Sequence, residues 1–395
     1  MSITAAGPER PDIATHGPDG PHAPHVHHGP DAPGAARELE QALFEVKRVI
    51  VGQDRLVERL FTALLADGHC LLEGVPGVAK TLAAQTLAVA VGGRFSRIQF
   101  TPDLVPSDIV GTRIYRASTE NFDVELGPVM ANLVLADEIN RAPAKVQSAL
   151  LEAMAERQVS IGGRSYPVPE PFLVLATQNP IESEGVYQLP EAQRDRFLLK
   201  ILVDYPSDAE ELAILYRMSS ARPEPRRVLD PTRLRALQAA ARAVFVHHAV
   251  AEYVVRLVVA TRHPDRFGAD DLSARLAYGA SPRATLGLVA AARALALLRG
   301  REYVLPSDVT ELAVDVLAHR LVLSFDAVAD GITAEAVVRR LVAAVPPPQI
   351  APHQAEQAER AELLGQAEQA ELLGQAEQAA QAQRRTGGTD GGGTR

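Results

Sequence analysis

The chain has 395 residues, a 47% hydrophobic and 23% charged share, and a formal net charge of -9. That length exceeds one small domain and suits two ordered units with appendages, while the apolar share is ample for a core. The acidic balance excludes a protein that coats nucleic acid through its overall field, although a local basic strip would be hidden by the sum.

Residues 1–36 are Pro/Gly-rich and nearly free of large apolar side chains, so the spacing predicts a disordered tail. His22, His25, His27 and His28 lie close enough to bind a metal. No carboxylate or thiolate framework holds them, and they read as part of a solvated tail. A start rich in Pro, Gly and His carries no signal-like apolar stretch, no run reaches membrane-spanning length, and the lone Cys70 permits no intrachain disulfide. The cytoplasm, without membrane insertion, is the expected compartment.

Helical periodicity runs from Arg37 to Val49, and then the pattern alternates. Short apolar β runs fall at His69–Leu72, Phe95–Phe100, Ala131–Ala136, Phe172–Thr177 and Leu198–Val203, separated by helical stretches such as Thr81–Val91 and Ala144–Glu156. Such alternation predicts an α/β unit over 37–206, a parallel sheet flanked by helices. Two interruptions look like insertions: Thr112–Met130, with short alternating pieces, and Gln158–Val168, which reads as a hairpin turning at Gly162-Gly163. From 207 to 345 the chain is Ala/Leu/Arg-rich with helical periodicity, a smaller all-helical unit. Residues 346–395 form a low-complexity tail in which AELLGQAEQ at 361–369 recurs at 370–378; a nine-residue period gives no continuous apolar seam.

Three stretches carry chemistry. Gly74–Thr81 (GVPGVAKT) follows a β run and opens a helix, the context in which loop N–H groups converge on phosphates, Lys80 reaches the terminal ones and Thr81 offers a hydroxyl to Mg²⁺. Ala79 stands where glycine is usual in such loops; if that position needs a positive φ, alanine costs about 1–2 kcal/mol. The competing reading is a plain Gly-Pro turn. LVLADE (Leu133–Glu138) is an apolar strand ending in two carboxylates, with Asp137 suited to hold Mg²⁺ through water and Glu138 to polarise an attacking water. LVLATQNP ends at Asn179, whose neutral amide can orient that water, or simply start a turn. Arginines best supply charge to a departing phosphoryl group. Arg196 in LPEAQRDRF and Arg283 in GASPRATL are the candidates, each alternatively a surface ion pair.

In that order and spacing, GVPGVAKT, LADEINRAPAKVQSALLEAMAE, ATQNP, LPEAQRDRF and GASPRA, together with VGQ at Val51–Gln53, resemble the MoxR family of AAA+ ATPases over roughly residues 38–345. Alanine before the loop lysine is itself the family's form. The resemblance implies an ATP-hydrolysing P-loop NTPase of the helix-2 insert clade with a helical lid. It implies nucleotide contacts from Val51, Gly52, Gln53, Gly74, Val75, Pro76, Gly77, Val78, Ala79, Lys80, Thr81 and Leu82, with Mg²⁺ at Thr81 and Asp137. The catalytic set would be Lys80, Glu138, Asn179 as sensor 1, Arg196 as the finger entering a neighbour's site, and Arg283 as sensor 2. Arg194 stands where an apolar residue is more usual and competes with Arg196 for the finger role. Thr112–Met130 would be the helix-2 insert and Gln158–Val168 the hairpin before sensor 1, both facing the pore of a ring.

Members of that family are chaperone-like ring ATPases, usually hexameric, that mature or activate partner proteins. The partners often carry von Willebrand factor A domains, and metal cofactor insertion is sometimes aided. A nucleic-acid motor of the helicase or clamp type shares the same insertions, but Gln158–Val168 has one cation, Arg164, and no stacking tract, so no nucleic acid partner is expected. A magnesium-chelatase-like motor subunit differs by its partner and not by its motifs. A nucleotide-gated scaffold would not need Asp137, Glu138 and Asn179 together. A P-loop small-molecule kinase has no use for the helical unit, and an unfoldase would want an aromatic–apolar–Gly pore loop that is not evident.

Overall fold

The computed structural model describes residues 32–118, 120–180, 186–218 and 223–349. The chain opens with α1 (Ala32–Val49) and α2 (Asp54–Leu65), then β1 (Cys70–Gly74), α3 (Lys80–Ala90), β2 (Phe95–Gln99) and a short α4 (Pro106–Val110). An insertion follows as β3 (Gly111–Arg116) and β4 (Asn121–Leu126), then β5 (Leu133–Asp137), α5 (Ala144–Glu156), β6 (Gln158–Ile161), β7 (Arg164–Pro167) and β8 (Leu173–Gln178). After a one-turn α6 (Glu191–Arg194) and β9 (Leu199–Val203) come α7 (Asp208–Met218), α8 (Pro231–Ala243) and α9 (His248–Ala260). The last elements are β10 (Leu276–Tyr278), α10 (Pro282–Leu298), α11 (Pro306–Leu317), β11 (Val322–Leu323), α12 (Phe325–Ala329) and α13 (Ala334–Ala344).

Five strands form one parallel sheet in the order β2-β5-β8-β1-β9. The central strands β1, β5 and β8 read as near-continuous apolar runs because both their faces are buried, which is how parallel strands between helical layers read in sequence. Alternate side chains serve two cores. Cys70, Leu72, Leu133, Leu135, Leu173 and Leu175 pack on the side of α1, α2 and α3, whereas Leu71, Val134, Ala136, Val174 and Ala176 face α5. The sheet order places the end of β8 between the ends of β1 and β5, and all carboxyl ends share one edge, the position at which open parallel sheets bind ligands.

Both insertions are antiparallel hairpins, β3 with β4 and β6 with β7. Gly162 and Gly163 have φ of +58° and +79°, the conformation a two-residue hairpin turn demands. The hairpins touch, since a Cβ on Gly162 would lie 2.0 Å from Arg113 Cδ.

Two expectations shift. The first helix begins at Ala32 and not at Arg37: Pro33 falls in its first turn, where proline costs nothing, and Ala35 is already buried. The segment after residue 206 shares one apolar core with α1, α2 and a sheet face, Leu288, Leu295 and Leu312 clustering with Leu39, Leu60 and Leu199. It is helical apart from the short antiparallel pair β10–β11. Residues 1–31, with the four histidines, and the repeat at 361–378 lie outside the described residues.

A charged network fastens α2 to α11. Arg59, only 2% exposed, donates to Asp315 (2.8 Å), Glu311 (2.8 Å) and Glu58 (2.9 Å). Removing one member strands a buried charge, so Arg59→Ala is expected to cost about 3–5 kcal/mol of folding stability by denaturant titration. A loss below about 1 kcal/mol would show that the network is not needed.

His69, just before β1, accepts a hydrogen bond from Val174 N–H at Nδ1 (3.0 Å) and is buried. Burial, aided by the Arg157 charge, lowers its pKa from 6.5 to about 3. The unfolded chain therefore binds a proton that the folded chain refuses, and the stability present above pH 6.5 falls as pH drops toward 3. His69→Gln should flatten the pH dependence of folding stability in that window by about 1.4 kcal/mol per pH unit, read from denaturation midpoints between pH 7.5 and 4. An unchanged slope would place the titration elsewhere.

Candidate functional site

At the carboxyl edge of the sheet lies a cleft of about 420 Å³. The loop after β1 forms one wall, and its residue types follow from geometry. Gly74 passes so close to β9 that a Cβ would sit 2.3 Å from Val203 O, and Gly77 has φ of +86°. Ala79 takes the left-handed conformation as well (φ +61°, ψ +18°) and caps α3. The position glycine usually fills does require positive φ, and alanine bears the strain of about 1–2 kcal/mol. Lys80 Nζ donates to Gly74 O (2.7 Å). Burial lowers the Lys80 pKa, opposed by Asp137, Glu138 and Glu73.

The opposite wall is the end of β5. Asp137 Oδ1 accepts from Thr177 Oγ1 (2.7 Å) and Oδ2 from Arg97 Nη2 (2.6 Å). Glu138 is a second left-handed residue (φ +56°, ψ +51°), its N–H donating to Thr177 Oγ1 (2.8 Å). Its Oε2 accepts from Gln99 Nε2 (2.7 Å) and lies 3.3 Å from Arg141 Nη1. Asn179 lines the cleft between these walls, together with Pro76, Gly77, Ala79, Lys80, Thr81 and Leu82.

The structure thus gathers most of the expected phosphate-site residues in one place. Val78 lies on the other side of the loop, where Pro76, Gly77, Tyr205, Leu212 and Leu215 help to line a second cavity of about 710 Å³. Val75 packs half-buried against the core. Val51, Gly52 and Gln53 do not line the cleft; Gln53 Nε2 donates to Asp204 O (3.1 Å) and Gly52 abuts Glu210, so this turn borders the start of α7.

Neither Arg196 nor Arg283 lines the cleft. Arg196 is exposed and donates to Leu151 O (2.7 Å). Arg283, 64% exposed, is 4.0 Å from Asp195 Oδ2, and Arg194 lies 3.7 Å from Glu191 in its own turn. Arg97, Gln99 and Thr177 were not singled out from sequence. Arg97 and Gln99, two apart on one face of β2 with the buried Ile98 between them, were the available signal.

A left-handed phosphate loop, an acid-tipped strand and a polar-tipped strand between them define a P-loop nucleotide-binding protein of the AAA+ type with a helical lid. A sequence profile for the ATPase family associated with various cellular activities (AAA) matches residues 69–199, and one for the AAA lid domain matches residues 269–341. Chaperone MoxR1 of Mycobacterium tuberculosis is 62% identical over 338 residues, 84% of this chain and 90% of its own length. The protein YeaC of Bacillus subtilis is 45% identical over 315 residues, 78% of this chain and 95% of its own length. A crystal structure from Cytophaga hutchinsonii superposes with a TM-score of 0.76 at 43% identity, covering 81% of this chain and 97% of that one. The chain belongs to the MoxR family of AAA+ ATPases.

Ala79→Gly removes the left-handed penalty but loosens the unfolded chain. Folding stability is expected to rise by about 0.5–1 kcal/mol with nucleotide binding retained, measured by thermal and denaturant unfolding. A decrease would mean that the Ala79 methyl packs usefully.

Proposed function

We propose that this chain hydrolyses ATP to ADP and phosphate in a ring of identical subunits and uses the cycle to remodel partner proteins. The observation that carries this reading is the division of charge: Lys80, Thr81, Asp137, Glu138 and Asn179 converge on one cleft, while neither Arg196 nor Arg283 lines it.

In this reading the loop N–H groups and Lys80 hold the terminal phosphates. Glu138 takes a proton from the attacking water as its oxygen bonds to the γ-phosphorus and the bridging P–O bond breaks, and Asn179 orients that water. Mg²⁺ fits the donor set, because a hydroxyl (Thr81), a carboxylate (Asp137) and substrate phosphates are the hard oxygen ligands it takes when it keeps much of its water shell. Bound there, the ion would neutralise charge on the β- and γ-oxygens. The base would lie in the cavity by Tyr205 and Leu212, beside Val51–Gln53. Arg196 of one subunit, or Arg194 in its place, would complete the neighbour's site, which gives a reason for a closed, hexameric ring.

The remodelling role rests on the similarity to a relative named a chaperone. Partner proteins with von Willebrand factor A domains and the delivery of metal cofactors follow from the family resemblance alone. The cytoplasm is the compartment proposed; among the described residues no helix is long and apolar enough to cross a membrane.

Steady-state ATPase across protein concentration, with native mass recorded alongside, tests the shared site. Specific activity should rise with assembly, Glu138→Gln should bind ATP while turning over at least about 100-fold more slowly, and Arg196→Ala should lose on the order of 10³-fold. Turnover that is independent of concentration and untouched by Arg196→Ala would refute the ring-shared site.

A further inference from the structure

The loop that carries Arg194 and Arg196 is held by the helical segment through the residue between them. Asp195 Oδ1 accepts from Arg320 Nε (2.8 Å) and Oδ2 from Ser281 Oγ (3.0 Å), with Arg283 4.0 Å away. Arg320 follows α11 in a short 3-10 turn and its side chain is 4% exposed. Beyond Asp195, its Nη2 donates to Phe197 O (2.7 Å) and, at 3.4 Å, to Asp195 O; its Nη1 donates to Leu198 O (3.2 Å) and to Val316 O. All five guanidinium N–H donors therefore have acceptors, four of them on residues 195–198. The adjacent His319 bonds Phe197 O through Nε2 (3.0 Å).

A guanidinium this deeply buried is tolerated only when fully paired, and a lysine, with three donors on a point charge, could not replace it. Four of the acceptors, three backbone carbonyls and one carboxylate, belong to residues 195–198, so the grip fixes where the loop sits and not merely that it folds. Arg196 is the next residue along the chain from Asp195 and leaves the loop on the exposed side.

We propose that Arg320 and Asp195 are positioning residues for the arginine loop: the helical segment of each subunit sets the placement of Arg196 against the terminal phosphate held by a neighbouring copy. This rests on the shared-site reading above. A displacement of about 1 Å at such a position can cost on the order of 100-fold in rate without touching substrate binding.

The test compares Arg320→Lys, Asp195→Asn and Arg196→Ala, each alone and mixed with Lys80→Ala, which keeps the loop but not the phosphate site. Asp195→Asn preserves shape should Arg320→Lys fold poorly. For both positioning variants we expect native mass unchanged, KM for ATP within about twofold and kcat lower by about 10- to 100-fold. Mixing with Lys80→Ala should restore turnover as it does for Arg196→Ala, because intact loops then serve intact phosphate sites. Wild-type kcat in both positioning variants overturns the proposal. So does restoration for Arg196→Ala without restoration for the other two, which would make Arg320 a structural clamp. If Arg196→Ala is not restored either, the shared-site reading itself fails and this inference falls with it.

Discussion

Everything at the cleft depends on two L-residues held in the left-handed region, Ala79 and Glu138. Each costs about 1–2 kcal/mol that surrounding contacts must offset. At Ala79 the conformation turns the chain from the phosphate loop into α3, whose first turn then borders the cleft through Lys80, Thr81 and Leu82. At Glu138 it breaks the strand immediately after Asp137, so that neighbouring carboxylates both line the cleft instead of lying on opposite faces of an extended chain. Thr177 supports both results with one hydroxyl, donating to Asp137 and accepting from Glu138 N–H.

The sheet makes these strained turns possible. Because β8 lies between β1 and β5, its end bridges the two walls, and the parallel ladder fixes the separation of the ends. Leu135, Leu175 and Leu72 on one face, and Val134, Val174 and Leu71 on the other, commit each strand to a register. A one-residue slip would exchange the two cores and move Asp137 out of line with Thr177. The core thus determines the geometry of the cleft as much as it determines stability.

How much of this could be read from the residues alone depended on the range of the interaction. Strands buried on both faces announce themselves as short apolar runs, and each core strand lies within one or two residues of its expected position. The Gly162-Gly163 turn and the strand-loop-helix context of Lys80 are equally local. Partners far apart in sequence were not legible: Arg97 with Asp137 is 40 residues away, and Arg320 with Asp195 is 125. The shared core had the same origin, since periodicity says which face of α10 is apolar but not that α1 and α2 cover it. Helical composition after residue 206 suggested a separate unit, where burial joins it to the beginning of the chain.

That joining bears on how charge is distributed. Within the cleft, Lys80 and Arg97 face Asp137 and Glu138, and Arg97 is already engaged with Asp137. A bound triphosphate brings several further negative charges, more than Lys80 alone can balance when charge develops on the departing phosphoryl group. Arg283 and Arg320 meet at Asp195 before β9, outside the cleft, while the neighbouring Arg194 pairs with Glu191 and Arg196 donates to Leu151 O. Two carboxylates, Glu191 and Asp195, stand among these four guanidiniums, which leaves an excess of positive charge outside the cleft. The helical segment, which shares a core with the first two helices and holds Asp195 through Arg320, therefore ties the placement of these cations to the fold of the sheet.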